Sequence, residues 1–158
     1  MPLPDLRQCV ALVRGIEVFP GTVVDNIRLG REDLSLGDVN SALQRVGLHE
    51  ELLALPEGLS TRLHPNGRPL SSRQAWRLMV ARAIVGQPRL LIIDGVLDQI
   101  DYSDERERLM QILFAADAPW TLVCITDDPD LLTRCSRVIT LQGGQVRAAR
   151  RDSGEVEA

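Results

Sequence analysis

Two apolar-rich runs of strand length, the continuous Leu90 to Ile93 and Trp120 to Thr126, most constrain what this chain can become. A strand apolar at every position, rather than at alternate ones, belongs in a parallel sheet covered on both faces. Cys9 to Val13 and Arg137 to Leu141 are further strand-length runs, and helical patterns separate them. Ser35 and Asp38 have capping-box spacing ahead of Val39, Leu43 and Val46, with Gly47 as the stop. Ser71 and Gln74 repeat that spacing ahead of Ala75, Leu78, Met79 and Arg82, and Gly86 and Pro88 end the element. A helix from about Ser103 to Ala116 and a short one opened by Asp128-Pro129 complete the pattern. Strands alternating with helices predict an α/β fold with a mostly parallel sheet. Residues 22 to 69 read as helix and loop, with a turn at Pro65-Asn66-Gly67 and another at Gly143-Gly144. The tail over 151–158 is polar and is expected to be disordered.

The chain has no lysine, so all 18 of its basic residues are arginine. A Gly-rich phosphate loop ending in Lys-Ser or Lys-Thr is therefore absent from this sequence. A net charge of -4 and 3% aromatic residues provide neither the field nor the stacking platforms for nucleic acid. No apolar stretch approaches the roughly twenty residues of a membrane span, so direct membrane insertion is not expected. Met-Pro-Leu-Pro-Asp lacks the features of a secretory signal, and a cytoplasmic location is expected. Cys9, Cys124 and Cys135 have no metal-ligand spacing and read as buried thiols. His49 and His64 have no cysteine or carboxylate constellation near them and read as packing or surface residues.

Leu70-Ser71-Ser72-Arg73-Gln74 opening a helix, followed by Leu90 to Ile93 and Asp94, resembles the signature and Walker B passage of ABC-transporter ATPase domains. Upstream, Val13-Arg14 and Phe19-Pro20-Gly21-Thr22 through Asn26-Ile27 are similar to the Q-loop passage of the exporter type. Asp98-Gln99-Ile100-Asp101 stands at the D-loop, and Ile125-Thr126-Asp127 at the switch-histidine strand. The resemblance spans residues 6 to 147 and implies a partial P-loop NTPase fold of the RecA-like, ABC type. It implies a single truncated ATPase domain over 1–158, with a helical subdomain over 22–86, the remaining α/β core over 87–150 and the tail after it.

The same resemblance implies lost chemistry. The Q-loop glutamine is Arg14, the Walker B glutamate is Gly95 and the switch histidine is Asp127. A guanidinium has only donors and cannot ligate a cation, and a glycine supplies no general base. Ser71, Ser72, Arg73 and Gln74 form a degenerate signature. In the family this segment meets ATP bound on the opposite subunit; here Arg73 either obstructs that approach or pairs with a phosphate. Asp94 keeps the Walker B aspartate, which implies a magnesium position through water, although strand-terminal aspartates are common in α/β folds.

Three functions remain open from the residues. The first is an inactive module, structural or regulatory, in a transport system. The second is half of a composite ATPase, supplying the signature in trans to ATP on a partner's Walker A. The third is a small α/β binding domain alike only in architecture. No cofactor is expected for the chain alone, and ATP with magnesium only where a partner supplies Walker A. The implied partners are a transporter membrane domain, another ABC ATPase subunit or a second copy, with peripheral attachment to the membrane through the transporter. The resemblance also leaves a strand missing beside residues 120 to 126. Either Arg137 to Leu141 or another chain is expected to fill it.

Overall fold

The computed structural model describes residues 9–100, 103–151 and 156–157. Asp101 of the expected D-loop and residues 152–155 and 158 of the expected tail lie outside them. The chain forms two compact units, divided between Ile125 and Thr126.

The first unit is built on a three-stranded parallel sheet of order β1 (Val10–Val13), β4 (Leu90–Asp94), β5 (Thr121–Ile125). Between β1 and β4 come β2 (Gly21–Thr22), α1 (Val23–Arg28), α2 (Leu36–Arg45), α3 (His49–Leu53), β3 (Arg62–Leu63) and α4 (Ser72–Ile84). Helix α5 (Ser103–Leu113) connects β4 to β5. The short β2 and β3 pair antiparallel. The helical segment expected over 22–86 lies wholly within this unit.

Three helices begin with complete capping boxes. Thr22 and Asp25 cap α1, Ser35 and Asp38 cap α2, and Ser71 and Gln74 cap α4. Each side chain satisfies a backbone N–H that the helix leaves unpaired. The core gathers Leu78 of α4, Leu91 and Ile93 of β4, and Leu109 and Leu113 of α5, all at most 2% exposed. Trp120 closes it, its Nε1 donating to the Leu113 carbonyl at 3.1 Å.

The register assigns the sheet two unequal faces. Val13, Ile93 and Cys124 stand in one row, and Leu12, Ile92 and Val123 in the next, pointing to the opposite face. Val13 and Ile93 are buried, whereas Leu12 and Val123 are exposed by 54% and 43%. The chain's direction explains the asymmetry. Both crossovers, β1 to β4 and β4 to β5, step the same way across the sheet, and right-handed crossovers then place their helices on one face. The other face is the more exposed, half-buried along β4 and exposed at Leu12, Val123 and Ile125, contrary to the two-sided cover that a continuous apolar run predicts.

The second unit contains α6 (Pro129–Thr133) and an antiparallel sheet of order β6 (Arg137–Gln142), β7 (Gln145–Arg151), β8 (Val156–Glu157). The tail expectation needs correction here. Arg150 and Arg151 belong to β7, and Val156–Glu157 pairs with it, because the Gly143-Gly144 turn starts a ladder long enough to hold a third strand. The expectation that Arg137 to Leu141 would fill the slot beside β5 is also corrected. β6 pairs with β7, its neighbour through that tight turn, and β5 ends its own sheet.

Candidate functional site

The opening of α4 is the best-defined polar constellation in the first unit. Ser71 adopts the extended cap conformation, and its Oγ accepts from the Gln74 N–H at 3.3 Å. Gln74 Oε1 accepts from the Ser71 N–H at 2.9 Å, and its Nε2 donates to Glu51 Oε2 at 2.9 Å. Ser72 is exposed beside them. Arg73 Nη1 donates to Asp104 Oδ2 of α5 at 2.8 Å. All four expected signature residues are therefore brought together, and three of them make named bonds within the chain.

One turn further on, Arg77 is a residue that sequence reasoning passed over. Its side chain is 7% exposed. Nη1 donates to the Gly47 carbonyl and to Glu51 Oε1, both at 2.7 Å, and Nη2 donates to Glu51 Oε2 at 3.3 Å. Nε lies 3.1 Å from Glu105 Oε1 on α5, an ionic contact whose angles do not make a hydrogen bond. One guanidinium thus joins α3, α4, α5 and the turn after α2. Burial raises the Glu105 carboxyl above its ordinary value, with Arg77 opposing. At Glu51 burial also raises, but hydrogen bonds from Arg77 and Gln74 and the arginine charges outweigh it, leaving the net shift downward.

Of the expected catalytic positions, Arg14 and Gly95 lie in the first unit at the carboxyl ends of the neighbouring parallel strands β1 and β4. Arg14 follows β1 and is exposed, on a groove of about 540 Å³ that also holds Glu17, Leu29, Arg31, Met79 and Arg82. Asp94 ends β4, half-buried, in register with Ile125. Gly95 has φ +62°, the left-handed region, and its N–H donates to the Ile125 carbonyl at 2.9 Å. A Cβ there would find space, its nearest neighbour being Gln99 Nε2 at 3.7 Å. Glycine is thus favoured at residue 95 by backbone conformation, not by crowding. Asp127 belongs to the second unit, exposed between β5 and α6, and the adjacent Asp128 caps α6 by accepting from the Asp130 N–H at 2.8 Å.

Asn26 and Arg82 form a second hub that the sequence pattern under-reports. Arg82 donates to the Glu17 carbonyl at 2.6 Å, the Asn26 carbonyl at 2.7 Å and Asn26 Oδ1 at 3.0 Å, and its guanidinium lies 5.3 Å from the Phe19 ring centre. Burial lowers the Arg82 pKa to about 10, with Glu17 opposing. Asn26, 1% exposed, accepts from the Phe19 N–H at 2.9 Å and donates to the Phe19 and Thr22 carbonyls. Together they fix the loop between Arg14 and Thr22. Partial burial of an arginine is a signal that no sequence period announces.

No group of three or more metal-ligating side chains occurs among the described residues. The three cysteines are half-buried, and burial raises the Cys135 thiol, which opposes a reactive thiolate. His49 Nδ1 contacts Glu50 Oε1 at 3.0 Å, which corrects the expectation that no carboxylate lies near it, because Glu50 follows it directly in the first turn of α3; His64 is exposed.

No family model matches the chain. Individual relatives do. It is 32% identical over 140 residues to the cyclolysin secretion/processing ATP-binding protein CyaB of Bordetella pertussis, covering 89% of this chain and 20% of that protein. It is 33% identical over 147 residues to a multidrug efflux ATP-binding/permease protein of Mycobacterium bovis, covering 92% of this chain and 12% of that protein. The fold matches a bacterial Atm1-family ABC exporter with ATP bound, at a TM-score of 0.80 and 22% identity, over 92% of this chain and 26% of the exporter. The chain thus spans about a fifth of the first relative's length. On sequence relationship at this level over most of its length, joined to this fold, the chain belongs to the ATP-binding domains of ABC exporters.

Proposed function

We propose that this chain is a degenerate exporter ATP-binding domain that does not hydrolyse ATP by itself and acts as a structural or regulatory module of a transport system. The observation that carries the reading is the joint loss at three positions, Arg14, Gly95 and Asp127, in a chain without lysine. Removing a positioned general base alone costs a factor of about 10² to 10⁴ in rate. The opening of α4 is consistent with this, since Arg73 and Gln74 are engaged by the chain's own carboxylates. Asp94 could hold magnesium through water only beside a nucleotide bound by another polypeptide's Walker A.

A second reading is favoured by the exposure of Ser71 and Ser72 at the start of a 13-residue helix. In it the chain supplies this turn in trans to ATP on a partner subunit, and the pair drives transport. The partner in either reading is a transporter membrane domain or an ABC ATPase subunit. No helix among the described residues is long and apolar enough to cross a membrane, so membrane attachment on this reading runs through the transporter, on its cytoplasmic side.

A pull-down with a Walker-A-bearing subunit, followed by ATPase assay of the mixture, separates the readings. The first predicts a rate equal to the partner's alone. Stimulation abolished by Ser71→Ala supports the second.

A further inference from the structure

The first turns of α4 and α5 meet through two ion pairs spaced one helical turn apart on α4. At the surface Arg73 Nη1 lies 2.8 Å from Asp104 Oδ2, with the two side chains 41% and 69% exposed. In the interior Arg77 Nε lies 3.1 Å from Glu105 Oε1, with both side chains at most 7% exposed. The inner pair sets the outer one. Arg77 is fixed from the other side by Glu51 and the Gly47 carbonyl, so it holds Glu105, and the residue before Glu105 is Asp104. Exposed ion pairs ordinarily gain little because two long side chains must be ordered. Here the backbones beneath both partners are already fixed.

We propose that Asp104 is an internal counter-ion that holds the Arg73 guanidinium on α5, so that a phosphate-bearing ligand reaching Ser71 and Ser72 must compete with the chain's own carboxylate. The contact is autoinhibitory. It rests on the reading of residues 70 to 74 as a degenerate signature, in which Arg73 replaces a glycine. Two effects act together. The arginine is occupied, and the Asp104 carboxylate adds negative charge that repels an approaching phosphate. Asp104 itself carries the expected electrostatic mark. Desolvation is the largest single effect and would raise its carboxyl, but the Glu105 N–H and the Arg73 charge and hydrogen bond together outweigh it, and the net shift is downward.

The test uses the full chain and inorganic pyrophosphate as the probe, followed by NMR at the Ser71, Ser72 and Arg73 amides and the Arg73 Nε–H. Asp104→Asn is expected to bind pyrophosphate about two- to fivefold more tightly than wild type, the range a single exposed ion pair supports. Arg73→Gly is expected to bind no more tightly than wild type. Equal dissociation constants in wild type and Asp104→Asn, or no response in either at millimolar probe, overturn the proposal. A second measurement follows the Asp104 carboxyl carbon through a pH titration. Its midpoint rises in Arg73→Gly if the contact exists, and an unchanged midpoint overturns the contact while leaving the proposed inactivity standing. Conversely, ATP hydrolysis by the wild-type chain would overturn the inactivity without touching the contact.

Discussion

Arg82 shows most plainly how a single residue shapes the surroundings of the proposed site. Three of its hydrogen bonds go to Glu17 and Asn26, so the loop that carries Arg14 is held by a residue 68 positions away in sequence. Arg82→Met keeps the length and loses the donors, leaving Asn26 and Glu17 carbonyls short of partners. The expected cost is about 1–3 kcal/mol in urea unfolding, the scale for losing charged hydrogen bonds at a half-buried site. Gly95 makes a contrasting case. Gly95→Glu restores a carboxylate in name, but at φ +62° any side chain strains the backbone by roughly 1–2 kcal/mol. The variant is expected to be less stable by that amount and still inactive, checked by denaturation and phosphate release. Opposite signs apply to the two glutamates around Arg77. The lowered Glu51 contributes stability that is present above its ordinary pKa of 4.5 and is lost as pH falls through the folded value. The raised Glu105 costs stability at higher pH, and the cost is relieved as pH falls through its folded value. Glu51→Gln should therefore weaken the protein at pH 7 and flatten its acid limb, read from melting temperatures between pH 3 and 7.

At the level of elements, the sequence was most informative where structure is local. The Ser35 and Ser71 capping boxes formed at their expected positions, because the bonds concerned span only three residues. Ser71→Ala is expected to cost about 1 kcal/mol, the ordinary price of a lost N-cap. The Thr22 box went unread because Pro20-Gly21 marks a turn more loudly than Thr22-Val23-Val24-Asp25 marks a helix start. The strand positions were legible from strand-length, mostly apolar runs, and the parallel pairing of β4 with β5 follows them. What could not be read was everything that depends on distant partners. Arg77 sits among apolar neighbours in the α4 pattern, and nothing local says that Glu51 and Glu105 converge on it. The pairing of β6 with β7 was decided by a two-glycine turn rather than by the vacancy beside β5.

At the scale of the whole molecule, the exposed side chains on one face of β5 and its outer edge belong together. Val123 and Ile125, 43% and 53% exposed, project from the end strand of a parallel sheet, where such surface is ordinarily covered. The isolated chain is expected to self-associate with rising concentration. Val123→Lys with Ile125→Lys should shift light-scattering mass toward the 17.5 kDa monomer. A monomer for the unmodified chain at high concentration would contradict that account of the surface. The central claim, however, concerns nucleotide chemistry, and calorimetric titration of the purified chain with magnesium ATP, paired with a phosphate-release assay, addresses it directly. The account predicts no heat of binding at micromolar to sub-millimolar nucleotide and no turnover above buffer. Saturable micromolar binding, or hydrolysis that survives repurification, would contradict it.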